Sequence, residues 1–233
     1  MLRKIENLSD RSALTDRALE LVLSAYNQAI LTSDRFTFVA SGGSTPKFLY
    51  EQLAKQDLDW TKFHIFWGDE RYVPVTDPLS NEGMTRKAWL DHVAIPPVNI
   101  HAIPTDDSDP EIAAQKYELH LREFFYLSFD LTISEYPKFD LILLGLGDDG
   151  HTASLFPHTK ALSAINRLIT VGEKDLQPRI TFTANLINQS KQILFLVQSA
   201  GKDSALKAVM AESEDANLYP ARLINGNVTW LIA

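Results

Sequence analysis

Short apolar runs alternate with helix-patterned stretches along this chain, and that alternation restricts the folds open to it more than any other feature. Phe36–Ala40, Phe63–Trp67, Leu141–Leu144, Ile193–Val197 and Val228–Ile232 are rich in β-branched, aromatic and leucine side chains, as strands buried on both faces are. Between them, Ser12 to Ile30 places Leu14, Ala18, Leu21, Val22 and Ala25 on one helical face. Helices are also expected from the end of Ser41–Pro46 through about Ala54, over Asn81 to His92, over Glu111 to Phe125 and over Lys202 to Met210. Ile180–Thr183 reads as a further short strand, and Val73 to Asp109, rich in Pro and Asp, as a segment wrapping the surface. Strands alternating with helices build βαβ units, so an α/β fold follows, with a mostly parallel sheet covered by helices on both faces. No repeat or linker interrupts the pattern, and residues 1–233 are expected to form a single domain.

Composition narrows the function. With 45% hydrophobic and 22% charged residues the chain is ordinary for a globular protein. It has no cysteine, which removes disulfides and thiolate metal sites and fits a reducing compartment. Met1–Asn7 lacks the apolar core of a signal peptide, and no stretch approaches about 18 uncharged apolar residues, so a cytoplasmic protein without membrane contact is expected. A net charge of −8 argues against a nucleic-acid binder, which needs a basic footprint. An anionic ligand would require a local positive pocket built against that average field.

Loops at the carboxyl ends of strands are where open α/β sheets bind ligands, and three of them carry chemistry here. In Ser41–Pro46, Gly42 and Gly43 allow a tight turn, Thr45 suits the N-cap and Pro46 the first helical position. The helix beginning there would aim unpaired N–H groups at an anion, with the Ser44 and Thr45 hydroxyls beside them. The same residues also make a plain capped helix after a glycine turn. Gly68-Asp69-Glu70-Arg71 closes the next strand. It is either a solvated charge run or a site in which Arg71 grips an anion while Asp69 or Glu70 contacts hydroxyls.

The third loop, Gly145 to Pro157, delivers His151, whose ring exchanges a proton near neutral pH. Gly145-x-Gly147-x-x-Gly150 matches a dinucleotide fingerprint formally, but Asp148 and Asp149 would stand where a pyrophosphate must sit. Asp149, two residues before His151, either orients it or only shapes the turn. Arg179, ahead of Ile180–Thr183, and Lys202, after the strand ending at Val197, supply further cations. Each is a surface charge or an anion contact.

These segments resemble the 6-phosphogluconolactonases: Ser41-Gly-Gly-Ser-Thr-Pro46, Gly68-Asp-Glu-Arg71, Gly145-x-Gly-x-Asp149-Gly-His151-Thr-Ala-Ser-Leu-Phe-Pro157, Ser80-Asn81, Arg179-Ile-Thr181, the Lys202 helix and Tyr219-Pro-Ala-Arg222. The resemblance covers nearly the whole chain and implies a Rossmann-like three-layer fold. It also implies hydrolysis of 6-phospho-D-glucono-1,5-lactone in the oxidative pentose phosphate pathway, with no metal and no cofactor. Carried over by position, Gly42, Gly43, Ser44 and Thr45 hold phosphate with Lys202 and Arg179 assisting, His151 is the acid–base, and Arg71 is a substrate or oxyanion contact. One departure is Ser199, where many relatives have glycine before the dipeptide that precedes this lysine.

The glycine loop alone is shared with the glucosamine-6-phosphate deaminases, which resemble His-Ile-Ala-Phe-Asn-Glu-Pro after the same glycines. Phe156 occupies the position of that glutamate here, so the lactonase branch is favoured. The alternatives are that deaminase chemistry and a non-catalytic sugar-phosphate sensor. The expected partner is a small sugar-phosphate lactone, and the expected assembly a monomer or weak homodimer. No H-E-x-x-H and no G-x-S-x-G occurs, so zinc hydrolysis and a serine elbow have no support, and the resemblance implies that neutral His151 takes a proton from water and returns it to the ring oxygen.

Overall fold

The computed structural model describes residues 3–127, 136–211 and 215–233. Met1 and Leu2 of the amino-terminal stretch read above lie outside them. The chain begins with β1 (Lys4–Asn7), α1 (Arg11–Ser33), β2 (Phe36–Ala40), α2 (Ser44–Leu53), β3 (Phe63–Trp67) and β4 (Asp69–Arg71). Then come α3 (Asn81–Ala88), β5 (Ile100–His101), α4 (Pro110–Phe124), β6 (Leu141–Leu144), β7 (Ile169–Lys174) and β8 (Gln177–Phe182). The last elements are α5 (Ala184–Asn188), β9 (Ile193–Val197), α6 (Asp203–Met210) and β10 (Val228–Ile232).

A seven-stranded sheet runs in the order β1-β10-β9-β6-β2-β3-β5, every pairing parallel, and helices flank it. From β2 the chain steps outward to β3 on one side, and β6 then pairs on the other. Loops that leave β2 and β6 therefore diverge, and a crevice opens between them at the carboxyl end of the sheet. Asp140 locks this junction: its carboxylate accepts from the Thr37 amide at 2.8 Å and the Thr37 hydroxyl at 2.7 Å. A smaller antiparallel sheet, β4-β8-β7, carries further residues to the same end.

Helix α1 forms where its apolar spacing predicts. Asp10 caps it by accepting from the Ala13 amide at 2.9 Å, and Asp34 ends it in the left-handed region at φ 54°. Its buried face includes Leu14, Ala18, Val22 and Ala25, while Leu21 is only partly buried. Phe36, Phe38, Trp60, Phe63 and Trp89 make a contiguous aromatic core beside it. Tyr50 stacks on Trp89 with centroids 5.7 Å apart and reaches the crevice with its hydroxyl, which accepts from the Ser41 amide at 2.9 Å and donates to the Ser41 carbonyl at 2.7 Å. The core thus holds the glycine loop directly.

Several sequence expectations change. Helix α2 starts at Ser44 with Gly43 as its cap, so Thr45 is not the N-cap. Gly43 sits at φ 111°, a conformation side chains rarely adopt, and the turn needs glycine there. Helix α3 stops at Ala88 because Trp89, at φ −147°, leaves the helical region to bury its ring, and Leu90–His92 form a separate 3₁₀ turn. The stretch after Val73 is not merely a surface wrap, since it contributes α3, β5 and the buried Trp89 and His101. Asp69–Arg71 is a strand rather than a loop. No helix among the described residues is long and apolar enough to cross a membrane.

Candidate active site

The loops after β2 and β6, the strands β4 and β8, and the start of α6 enclose one cleft of about 200 Å³. Gly42, Gly43, Ser44, Thr45, Asp69, Arg71, His151, Arg179 and Lys202 all line it. These residues come from positions up to 160 apart in the chain, and the parallel sheet is what gathers them. Asp149 does not line the cleft but stands behind His151.

His151 is set by its own turn. The Gly147 amide donates to the His151 carbonyl at 2.8 Å and the Gly150 amide to the Gly147 carbonyl at 3.0 Å, closing the loop on itself. A Cβ on residue 147 would lie 2.0 Å from His151 Nδ1, so only glycine leaves room for the ring. Asp149 accepts a hydrogen bond from Nδ1 and another from the His151 amide at 3.1 Å. The carboxylate assigns the ring proton to Nδ1 and leaves Nε2 as a lone-pair base. Of the two readings of Asp149, the geometry favours orientation of the ring.

Burial pulls the His151 pKa below its ordinary value, and Asp149 offsets only part of that, so the ring is neutral at pH 7. Asp149 also titrates below its usual range. Burial pushes it up, but its bonds to His151 and the charge of Lys174 outweigh that. Lys174, at the end of β7, lies 3.5 Å from the Asp149 carboxylate.

Asp69 and Glu70 divide their tasks. Glu70 faces the fold and accepts from the amides of Arg71, Asn81 and Glu82 at 2.7–2.8 Å and from the Ser80 hydroxyl at 3.0 Å, capping α3. Asp69 faces the cleft, buried, with one carboxylate oxygen accepting from Ser154 at 2.7 Å. Arg71 donates from Nη1 to the Leu79 carbonyl and to Asn81 Oδ1, both at 2.7 Å, which fixes its guanidinium at the rim.

The cleft is positive in a negative protein. Arg71 and Arg179 are cross-strand partners on β4 and β8. Burial and the neighbouring Arg71 both lower the pKa of Arg179. Lys202 caps the start of α6 and donates from Nζ to the Leu146 carbonyl at 2.6 Å, so its ammonium crosses to the His151 loop. Across from them, α2 begins at Ser44, and its first amides have no partner inside the helix. An anion entering here meets a helix N-terminus and three cations.

The model of the glucosamine-6-phosphate isomerases/6-phosphogluconolactonase family matches residues 9–231. The chain belongs to this family. A 6-phosphogluconolactonase from a Nostoc species is 52% identical over 100% of this chain and 96% of its own length. One from a Synechocystis species is 51% identical over the same shares. Among solved structures, a 6-phosphogluconolactonase from Thermotoga maritima superposes with a TM-score of 0.85 at 29% identity, covering 99% of each chain.

Within this family frame, some cleft residues escaped the reading of the sequence. Asn81 is buried, donates to the Asp69 backbone carbonyl at 2.8 Å and accepts from Arg71, so it ties the Arg71 side chain to the β4 backbone beside the cleft. It was visible only as part of Ser80-Asn81, a helix start. Ser154 holds Asp69, and Lys174 reaches Asp149 from a hairpin that the sequence pattern does not announce. Thr152 donates to the Gly145 carbonyl at 2.8 Å and closes the base of the cleft.

Proposed function

We propose that this chain hydrolyses 6-phospho-D-glucono-1,5-lactone to 6-phosphogluconate, the lactonase step of the pentose phosphate pathway. The observation that carries the reading is the oriented, neutral His151 facing an anion cradle across one cleft. Full-length relatives at 52% and 51% identity bear the same activity in their names.

In the mechanism, Nε2 of His151 takes a proton from a water molecule as its oxygen bonds to C1 of the lactone. The tetrahedral oxyanion faces Arg71, whose guanidinium is already fixed by Leu79 and Asn81 and needs no reorganisation. Collapse breaks the bond between C1 and the ring oxygen, and the imidazolium returns its proton to that oxygen. Asp149 steadies the imidazolium between the two transfers. The phosphate lies at Gly42, Gly43, Ser44 and Thr45, over the N-terminus of α2, with Lys202 and Arg179 adding charge. Asp69 accepts from a sugar hydroxyl with the oxygen not engaged by Ser154.

The deaminase reading calls for a glutamate at position 156, in the segment that follows the histidine. Phe156 stands there, its ring centroid 4.5 Å from that of His151. On the lactonase reading the enzyme works in the cytoplasm, as a monomer or weak homodimer, on a small diffusible lactone. The test is hydrolysis of the phosphorylated lactone timed against its spontaneous opening. Acceleration lost in the His151→Ala variant supports the reading, and binding of 6-phosphogluconate without any acceleration points to a sensor.

A further inference from the structure

Arg179 presents an unsolved problem of placement. It sits on β8 directly across from Arg71 on β4, and like charges at cross-strand positions repel. Arg71 is tied by two hydrogen bonds. The Arg179 side chain has no hydrogen bond or ion pair to another described residue, and its Nε is buried without a partner. A half-buried guanidinium with an unpaired nitrogen commonly recruits a carboxylate. What stands against this one is Phe156, 4% exposed, with the Arg179 Cζ 5.2 Å from its ring centroid.

We propose that Phe156 is the positioning residue for Arg179, holding its guanidinium at the cleft with a π face where a carboxylate would otherwise stand. An aromatic face attracts a cation through its quadrupole and offers no acceptor that a substrate must displace. The charge and N–H groups of Arg179 therefore stay available to an anionic part of the substrate. Lys174 Nζ also lies 5.2 Å from the same centroid, but it is paired with Asp149, so of the two cations only Arg179 has no ion pair among the described residues. This inference rests on the reading of Arg179 as an anion contact in a lactonase.

The test replaces Phe156 by a ring-trifluorinated phenylalanine, which keeps the shape and cancels the negative face. The readouts are KM and kcat for the phosphorylated lactone and the inhibition constant of 6-phosphogluconate. The expected result is a rise of about 3- to 30-fold in KM and in the inhibition constant, with kcat close to that of the parent enzyme. Phe156→Tyr, which retains the face, stays near the parent values, and Phe156→Leu behaves as the fluorinated ring does. In an Arg179→Met background fluorination has no further effect, because the cation it acts on is gone.

Arg179→Met with an unchanged KM overturns the reading of Arg179 and the proposal with it. A large effect of Arg179→Met beside a silent fluorination leaves Arg179 as an anion contact and overturns only the role of Phe156. A fluorination effect that persists without Arg179 runs through His151 or Lys174 and also overturns it. Thermal unfolding of each variant confirms that the fold is intact before kinetics are compared.

Discussion

The Asp149 carboxylate lies behind the His151 ring, bonded to both its Nδ1 and its backbone amide, and this leaves Nε2 as the base. Burial holds the His151 pKa below its ordinary value of 6.5, so activity should persist below that pH and fall as pH drops through the depressed value. Asp149 raises the pKa of His151, so Asp149→Asn should move the acid limb of kcat/KM to lower pH while lowering kcat. A limb caused by substrate phosphate would not move with the variant, and an unmoved limb would remove His151 from the base role. His151→Ala should cost about 10²–10⁴-fold in turnover and leave the inhibition constant of 6-phosphogluconate within a few-fold.

Lys202 reaches from the start of α6 to the Leu146 carbonyl, and its ammonium lies in the same cleft as the N-terminus of α2. Lys202→Ala should raise KM for the phosphorylated lactone by more than about tenfold, the loss of one charge-assisted contact. Unphosphorylated glucono-1,5-lactone, already a poor substrate, should be hydrolysed nearly as before. Equal weakening of both substrates would place the lysine at the lactone ring instead of the phosphate.

The sequence announces the loops of this cleft because parallel strands must send their carboxyl ends to one edge. Ser41–Pro46 and Gly145–His151 could be placed together once β2 and β6 were recognised. What it conceals is competition for polar groups. Asp69 and Glu70 are indistinguishable as neighbours in a charge run, and only the α3 amides that occupy Glu70 separate them. Of the β7–β8 hairpin only the end at Ile180–Thr183 reads as strand, and its turn gives no signal. Its two-residue turn places Asp175 and Leu176 at φ 53° and 61°, where Asn and Gly are the usual signals. Strand β1 is short, charged and mostly exposed at the sheet edge, and β5 has only two residues. Neither has a buried pattern that periodicity could detect.

Tyr50 links the aromatic core to the glycine loop through both polar backbone groups of Ser41. Tyr50→Phe would leave a buried amide and carbonyl without their partner, a loss of about 1–3 kcal/mol. Loosening of the loop should also raise KM while kcat changes less. Denaturant unfolding and steady-state kinetics on the same preparation check both effects. A variant with unchanged stability and a raised KM would mean that the hydroxyl serves substrate directly.

Away from the cleft, His101 bridges His64 at 3.0 Å and His120 at 2.8 Å and stacks on Phe66 with centroids 4.2 Å apart. Each bond pairs one N–H with one lone pair, so two rings that face each other cannot both be protonated. Burial, then the neighbouring His120 and His64, lower the His101 pKa from 6.5 to about 3. Burial also lowers His64 and His120. Between those two values the unfolded chain binds a proton that the folded chain refuses, so stability is complete above pH 6.5 and falls as pH drops toward 3. The slope from His101 alone approaches about 1.4 kcal/mol per pH unit. Urea unfolding between pH 7 and pH 5 should show this decline, and His101→Gln, neutral throughout, should flatten it. A variant that loses stability with the parent slope would mean that His101 accepts its proton within the fold.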